Sequence, residues 1–127
     1  MTGRYKSAVG TFQVQLEVGG PGRDRFEPVD ALVDTGSTYT VLPRALLREL
    51  GVSVNSRARF VLADGSEVER DLGRAWVRFE DREQYTLVVF GDDPLLGAVT
   101  LEEFLLAPDP VARRLVPVRG LMMRIAA

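Results

Sequence analysis

Few side chains in this chain can move a proton near neutral pH, and the missing types narrow the chemistry. The 127 residues include no cysteine and no histidine. Thiolate nucleophiles, disulfides, Cys- or His-ligated metals and triads built on an imidazole base are therefore excluded. Acid–base work falls to Asp, Glu, Tyr, Lys or a metal-bound water. One carboxylate stands out by its setting. In Ala31-Leu32-Val33-Asp34-Thr35-Gly36-Ser37 an apolar run delivers Asp34 into a Thr-Gly-Ser turn. An unpaired carboxylate at the end of a buried strand is costly. Gly36 admits another backbone or a ligand at close range, and Thr35 and Ser37 place hydroxyls beside the acid. A second carboxylate nearby would raise one pKa of the pair. Asp is also an ordinary turn residue after a strand, because its side chain caps local N–H groups, so the tripeptide alone decides nothing.

Other acids are weaker candidates. Asp30 lies on the same strand face as Asp34 but about 13 Å away at strand rise, too far for a paired-acid glycosidase site within one chain. Asp92-Asp93 before Pro94 reads as a solvated turn, since hard cations want more oxygen ligands than two. Trp76, the single tryptophan, reads as core or a surface anchor, and Met122-Met123 as strand packing. No metal site and no cofactor are expected.

The elements that must position Asp34 are mostly strands. Gly10–Val18 alternates Phe12, Val14, Leu16 and Val18 against Gln13, Gln15 and Glu17, the pattern of a half-buried strand. Ala31–Val33 is apolar on both faces and reads as interior to a sheet. After Asp34, Pro43 is expected to open a short helix with Leu46, Leu47 and Leu50 inward and Gly51 as terminator. The run from Arg57 to Gly73 reads as a hairpin turning at Asp64-Gly65 with type I′ geometry. Two further strands, RAWVRFE and QYTLVVF, are expected around a charged turn at Asp81-Arg82-Glu83. A second helix is expected to start from a capping box of Thr100 and Glu103, to present Leu101, Phe104 and Leu105, and to end before Pro108. RRLVPV and LMMRI read as closing strands. A weak internal echo, apolar strand through Gly into Thr and a leucine-bearing helix, links 30–47 to 93–106.

Composition agrees with a globular chain: 46% hydrophobic, 27% charged, net charge −2. One domain over residues 1–127 is expected. The charge balance and the scattered arginines give no footprint for nucleic acid or an anionic membrane. No apolar stretch approaches spanning length and no secretory core follows Met1, so a cytoplasmic location is expected.

Taken in order, ALVDTGSTYTVLP, the hairpin LADGSEV and the later LLGAVTLEEF resemble the retropepsin-like aspartic proteases, and more closely the small prokaryotic proteins of that clan. The likeness runs from about Phe12 to Val118. It implies an all-β fold with two short helices, a closed acid-protease barrel equal to one lobe. It also implies a homodimer, because each retropepsin chain supplies one catalytic Asp and this chain has one D-T-G. By matching position, Asp34 is the catalytic residue. Thr35 is the hydroxyl that bonds across the dimer, Gly36 the carbonyl that meets substrate, and Ser37 a hydroxyl favouring ionisation of Asp34. Ala63, Asp64, Gly65, Ser66 and Glu67 form the flap over substrate. Leu95, Leu96 and Gly97 form the apolar-Gly motif supporting the catalytic loop. Part of Leu115–Ile125 would interleave with the partner's terminal strands.

The sequence departs from the viral pattern in three places, one of them a helix at Arg44–Leu50 more developed than in the shortest viral members. Ala98 and Val99 follow Gly97 where a polar residue and then Asn or Asp are usual, so a charged loop contact is absent. The flap has one glycine, Gly65, where viral flaps have several. The function implied is peptide-bond hydrolysis by an Asp34 pair acting on a water. The rival is a retropepsin-fold dimerisation or peptide-binding module with little turnover, which the Ala98-Val99 departure and a short flap would suit.

Overall fold

A computed structural model describes residues 11–122 of the chain. The first strand, β1 (Gln13–Gly19), follows the predicted alternation: Leu16 and Val18 are fully buried while Gln13, Gln15 and Glu17 face solvent. It pairs antiparallel with β2 (Phe26–Val33), whose Ala31 and Val33 are buried. The other edge of β2 runs parallel to the two-residue β7 (Leu95–Leu96), with Leu32 opposite Leu95 and Val33 opposite Leu96. Asp34 therefore leaves an interior strand, as its apolar approach demanded.

Beyond the Asp34 turn, β3 (Thr40–Pro43) pairs parallel with β6 (Arg82–Gly91) and meets β7 at Val41 and Leu95. Helix α1 (Arg44–Glu49) follows, with Pro43 at its N-cap rather than inside it. Leu47 is buried, and Leu46 and Leu50 pack partly buried against the core. The helix stops at Gly51, whose φ of 83° no other residue type adopts cheaply. There Gly51 N–H donates to Arg48 O and Val52 N–H to Leu47 O, which satisfies two carbonyls the helix would orphan.

The run from Glu67 to Phe79 is one strand of 13 residues, β5, rather than two. Gly73 within it marks a close approach and no break: a Cβ there would lie 2.5 Å from Ser53 O. The first half of β5 pairs with β4 (Ser56–Val61) in a projecting hairpin. The second half pairs with β6 and, at Trp76–Arg78, with β1. That last pairing closes the sheet on itself in the order β1-β2-β7-β3-β6-β5, with β4 on the outside of the ring. The β5–β6 turn is Glu80-Asp81, tighter than expected; Arg82 and Glu83 already pair within the strands. Leu16, Val18, Leu42, Val77, Phe90 and Leu96 fill the interior.

Helix α2 (Ala98–Phe104) starts three residues earlier than the capping-box reading. Gly97 is its N-cap, and Thr100 lies inside the helix, fully buried. Its hydroxyl has buried partners on other strands, so it does not cap the first turn. Leu101 and Phe104 are buried as predicted, whereas Leu105 ends the helix in the left-handed region and stays 43% exposed. Pro108 falls beyond the helix, in β8 (Leu106–Asp109), which forms a separate two-stranded sheet with β9 (Arg114–Pro117). Leu115 to Pro117 thus pair within their own chain; of the predicted LMMRI strand, Leu121 and Met122 are exposed and outside any strand, and the rest lies outside the described residues. Among those residues no helix is long and apolar enough to cross a membrane.

Candidate active site

Asp34 stands at the mouth of the β2–β7 pair, half-buried, with Thr35 and Gly36 exposed beyond it. Its backbone is tied at both ends: Asp34 N–H donates to Leu96 O at 3.0 Å, and Asp34 O accepts from Ser37 N–H at 3.1 Å. The carboxylate accepts from Gly36 N–H at 2.9 Å through Oδ1, leaving Oδ2 for other partners. Ser37 does not reach it. The Ser37 hydroxyl donates to Tyr39 O at 2.8 Å, so its one proton is spent inside the loop, against the expectation that it would favour the ionised acid.

Three predicted residues, Leu95, Leu96 and Gly97, sit directly beneath this loop. A Cβ on Gly97 would lie 2.5 Å from both C and O of Tyr39, so only glycine lets the α2 start press against the loop. The helix then offers its unpaired N–H groups to loop carbonyls: Ala98 N–H to Ser37 O at 2.8 Å and Val99 N–H to Thr38 O at 3.0 Å. Those bonds use backbone only. The Ala98-Val99 departure therefore costs the loop none of them.

Sequence reasoning missed a polar knot behind the loop. Thr40, Thr86 and Thr100 are fully buried and come from β3, β6 and α2. Thr40 Oγ1 donates to Thr100 Oγ1 at 2.7 Å and accepts from Gly97 N–H at 3.1 Å; Thr100 Oγ1 lies 3.0 Å from Thr86 Oγ1. Hydroxyls in an apolar interior must find partners, and here they link three elements around the Gly97 N–H. The available signal was a threonine at an inward position among Val88 and Phe90. The partners of Thr40, Gly97 and Thr100, lie 57 and 60 residues away and had no local signature.

The flap candidates Ala63 to Glu67 form the tip of the β4–β5 hairpin and are exposed. The turn is not type I′. Gly65 alone takes positive φ, 87°, and the tip closes through Gly65 N–H to Leu62 O and Leu62 N–H to Ser66 O, a three-residue loop ending on glycine. Asp64 Oδ1 accepts from Ser66 Oγ at 2.6 Å and Ser66 N–H at 2.9 Å. These donors, the hydroxyl first, hold the Asp64 carboxyl below its ordinary range. The hairpin reaches the Asp34 loop through Phe60, whose ring meets that of Tyr39 edge-on at 6.1 Å.

The other acids stay apart. Asp92 pairs with Arg44 at 2.6 Å, and among the described residues no group of three acids could hold a metal. Asp30 is exposed on β2. Trp76 lies on the outer wall of the ring, with the Arg23 guanidinium over its ring and Tyr85 tilted against it. Two shallow clefts along β1 and β9 include none of the loop or flap residues.

A closed β ring with an Asp-Thr-Gly loop, a helix braced against it and a hairpin leaning over it is the architecture of an acid-protease lobe. The sequence profile of the aspartyl protease family matches residues 14–99, and the chain belongs to that family. Among solved structures, EIAV protease complexed with the inhibitor HBY-793 is similar at TM-score 0.52 and 21% identity, over 72% of this chain and 85% of that one. The solution structure of simian foamy virus (mac) protease is similar at TM-score 0.51 and 21% identity, over 75% of this chain and 99% of that one. Both likenesses support the retropepsin-like fold. No curated protein sequence matches the chain.

Proposed function

We propose that the protein is a homodimeric aspartic endopeptidase whose site is completed by Asp34 from each of two chains. The observation that carries this reading is a single, solvent-facing Asp34-Thr35-Gly36 turn on a loop braced from beneath by α2. One carboxylate has no partner acid with which to share a proton; a two-fold axis beside the exposed turn supplies one. In aspartic proteases two carboxylates a few Å apart hold one proton between them, because both cannot ionise readily. The ionised Asp34 takes a proton from water as the water oxygen attacks the scissile carbonyl carbon. The protonated Asp34 gives its proton to the carbonyl oxygen, forming a tetrahedral diol. Proton return to the amide nitrogen then breaks the C–N bond and frees an acid and an amine. Neither metal nor covalent intermediate is needed. Thr35 would bond across the axis, Gly36 would meet the peptide backbone, and the tip from Ala63 to Glu67 would close over it.

The test is a peptide-library digest at mildly acidic pH with wild type and Asp34→Asn, alongside the mass in solution by light scattering. Twice the chain mass and cleavage that vanishes with Asp34→Asn are expected. Undiminished cleavage by that variant would sink the mechanism.

A further inference from the structure

The β4–β5 hairpin has two unlike faces, fixed by its register. One carries Arg57, Arg59, Glu67, Glu69 and Asp71, which pair in a ladder: Arg57 with Asp71 at 3.0 Å and Glu69 at 3.6 Å, Arg59 with Glu69 at 3.3 Å and Glu67 at 3.5 Å. The other carries Phe60 opposite Val68 and Ala58 opposite Arg70. Because Phe60 meets Tyr39 of the Asp34 loop, this second face is the one turned toward that loop. With Ser56 opposite Leu72 this face has six side chains, four of them apolar and Arg70 its one charged group.

Arg70 is half-buried, and the polar contact it makes is Nη1 to Glu69 O at 2.9 Å. Among the described residues no carboxylate pairs with it, whereas Arg57 and Arg59 each face two. A guanidinium has five N–H donors, so most of Arg70's remain open. Set among apolar neighbours and partly out of water, its attraction for a carboxylate exceeds that of a fully solvated arginine. The acids of the hairpin itself stand on the opposite face and are taken.

Resting on the reading of this face as the roof of a peptide site, we propose that Arg70 is a specificity residue. It selects an acidic side chain, so the substrates are extended peptides bearing Asp or Glu at one fixed position. A planar guanidinium beside Ala58, a small neighbour, leaves room for a two-pronged contact with that carboxylate.

The experiment is a position-scanned peptide library digested by wild type, Arg70→Gln, Arg70→Lys and Arg70→Glu. Wild type is expected to enrich Asp or Glu at one position, with kcat/KM about tenfold above the matching amide peptide, the size of one charge-assisted contact. Arg70→Gln should bring that ratio near one, Arg70→Lys should keep part of it, and Arg70→Glu should favour Lys or Arg at the same position. A ratio unchanged in Arg70→Gln, or no acidic enrichment in wild type, overturns the proposal. Should no Asp34-dependent cleavage occur, the protease reading fails separately. The same library is then panned on immobilised Asp34→Asn protein. Acidic enrichment lost on adding Arg70→Gln supports the role of Arg70, and its absence overturns it.

Discussion

Around Asp34 the stabilising bonds arrive from far along the chain: Leu96 O, the N–H groups of Gly97, Ala98 and Val99, and the hydroxyls of Thr86 and Thr100. At the tip of the β4–β5 hairpin they come from two to four residues away, from Leu62, Asp64 and Ser66, and the ladder behind them is exposed. One region is held by the core and cannot shift without disturbing three elements. The other keeps its shape through bonds within the hairpin itself, and its exposed ion pairs add little to that.

The largest expected effect tests the loop's chemistry. Asp34→Asn keeps an oxygen for the Gly36 N–H, so melting should be unchanged while cleavage falls by about a thousandfold or more. The next tests the contrast itself. Gly97→Ala forces a methyl to 2.5 Å from the Tyr39 backbone and should cost about 3 kcal/mol, lowering Tm by roughly 10 °C. Gly65→Ala meets nothing at the tip and should cost only about 1 kcal/mol through its positive φ. Equal losses in thermal denaturation would break the comparison. Thr100→Val strips two buried hydroxyl contacts and should cost about 1–3 kcal/mol, with Thr100→Ser recovering most of it. The smallest effect is acid-dependent and local. Because Asp64 is held below its ordinary value in the folded protein, its support for the tip is complete above that ordinary value, about 3.9. It is lost as pH falls through the lower folded value. Ser66→Ala should move the Asp64 titration, followed by NMR, back toward that ordinary value.

Much of this was legible in sequence because it is local. The alternation in β1, the apolar run into Asp34 and the Leu47–Gly51 helix end each carry their cause within a few residues. Gly97 beside Leu95 and Leu96 pointed to the brace, though the atoms it must avoid belong to Tyr39. Several of the errors share one origin. Thr100 satisfied a local capping rule, but its hydroxyl found better partners in Thr40 and Thr86, which no window of sequence could supply. Ser37 likewise stood beside Asp34 in sequence and bonded elsewhere. Gly73 looked like punctuation and served close packing. Tertiary contacts overrode local preference wherever a small polar residue or a glycine had two possible uses.

The brace also sets an order of events during synthesis. Thr40 waits for a donor 57 residues later in the chain, and Ser37 and Thr38 for the start of α2. Closing so long a segment is slow compared with forming the β4–β5 hairpin, whose strands are neighbours in sequence. On a growing chain that hairpin can therefore be built while the acid-bearing loop is still unsupported. The loop's support cannot form until residues 97–100 have been made and have closed onto it, so the geometry around Asp34 is a late event next to the neighbouring hairpin.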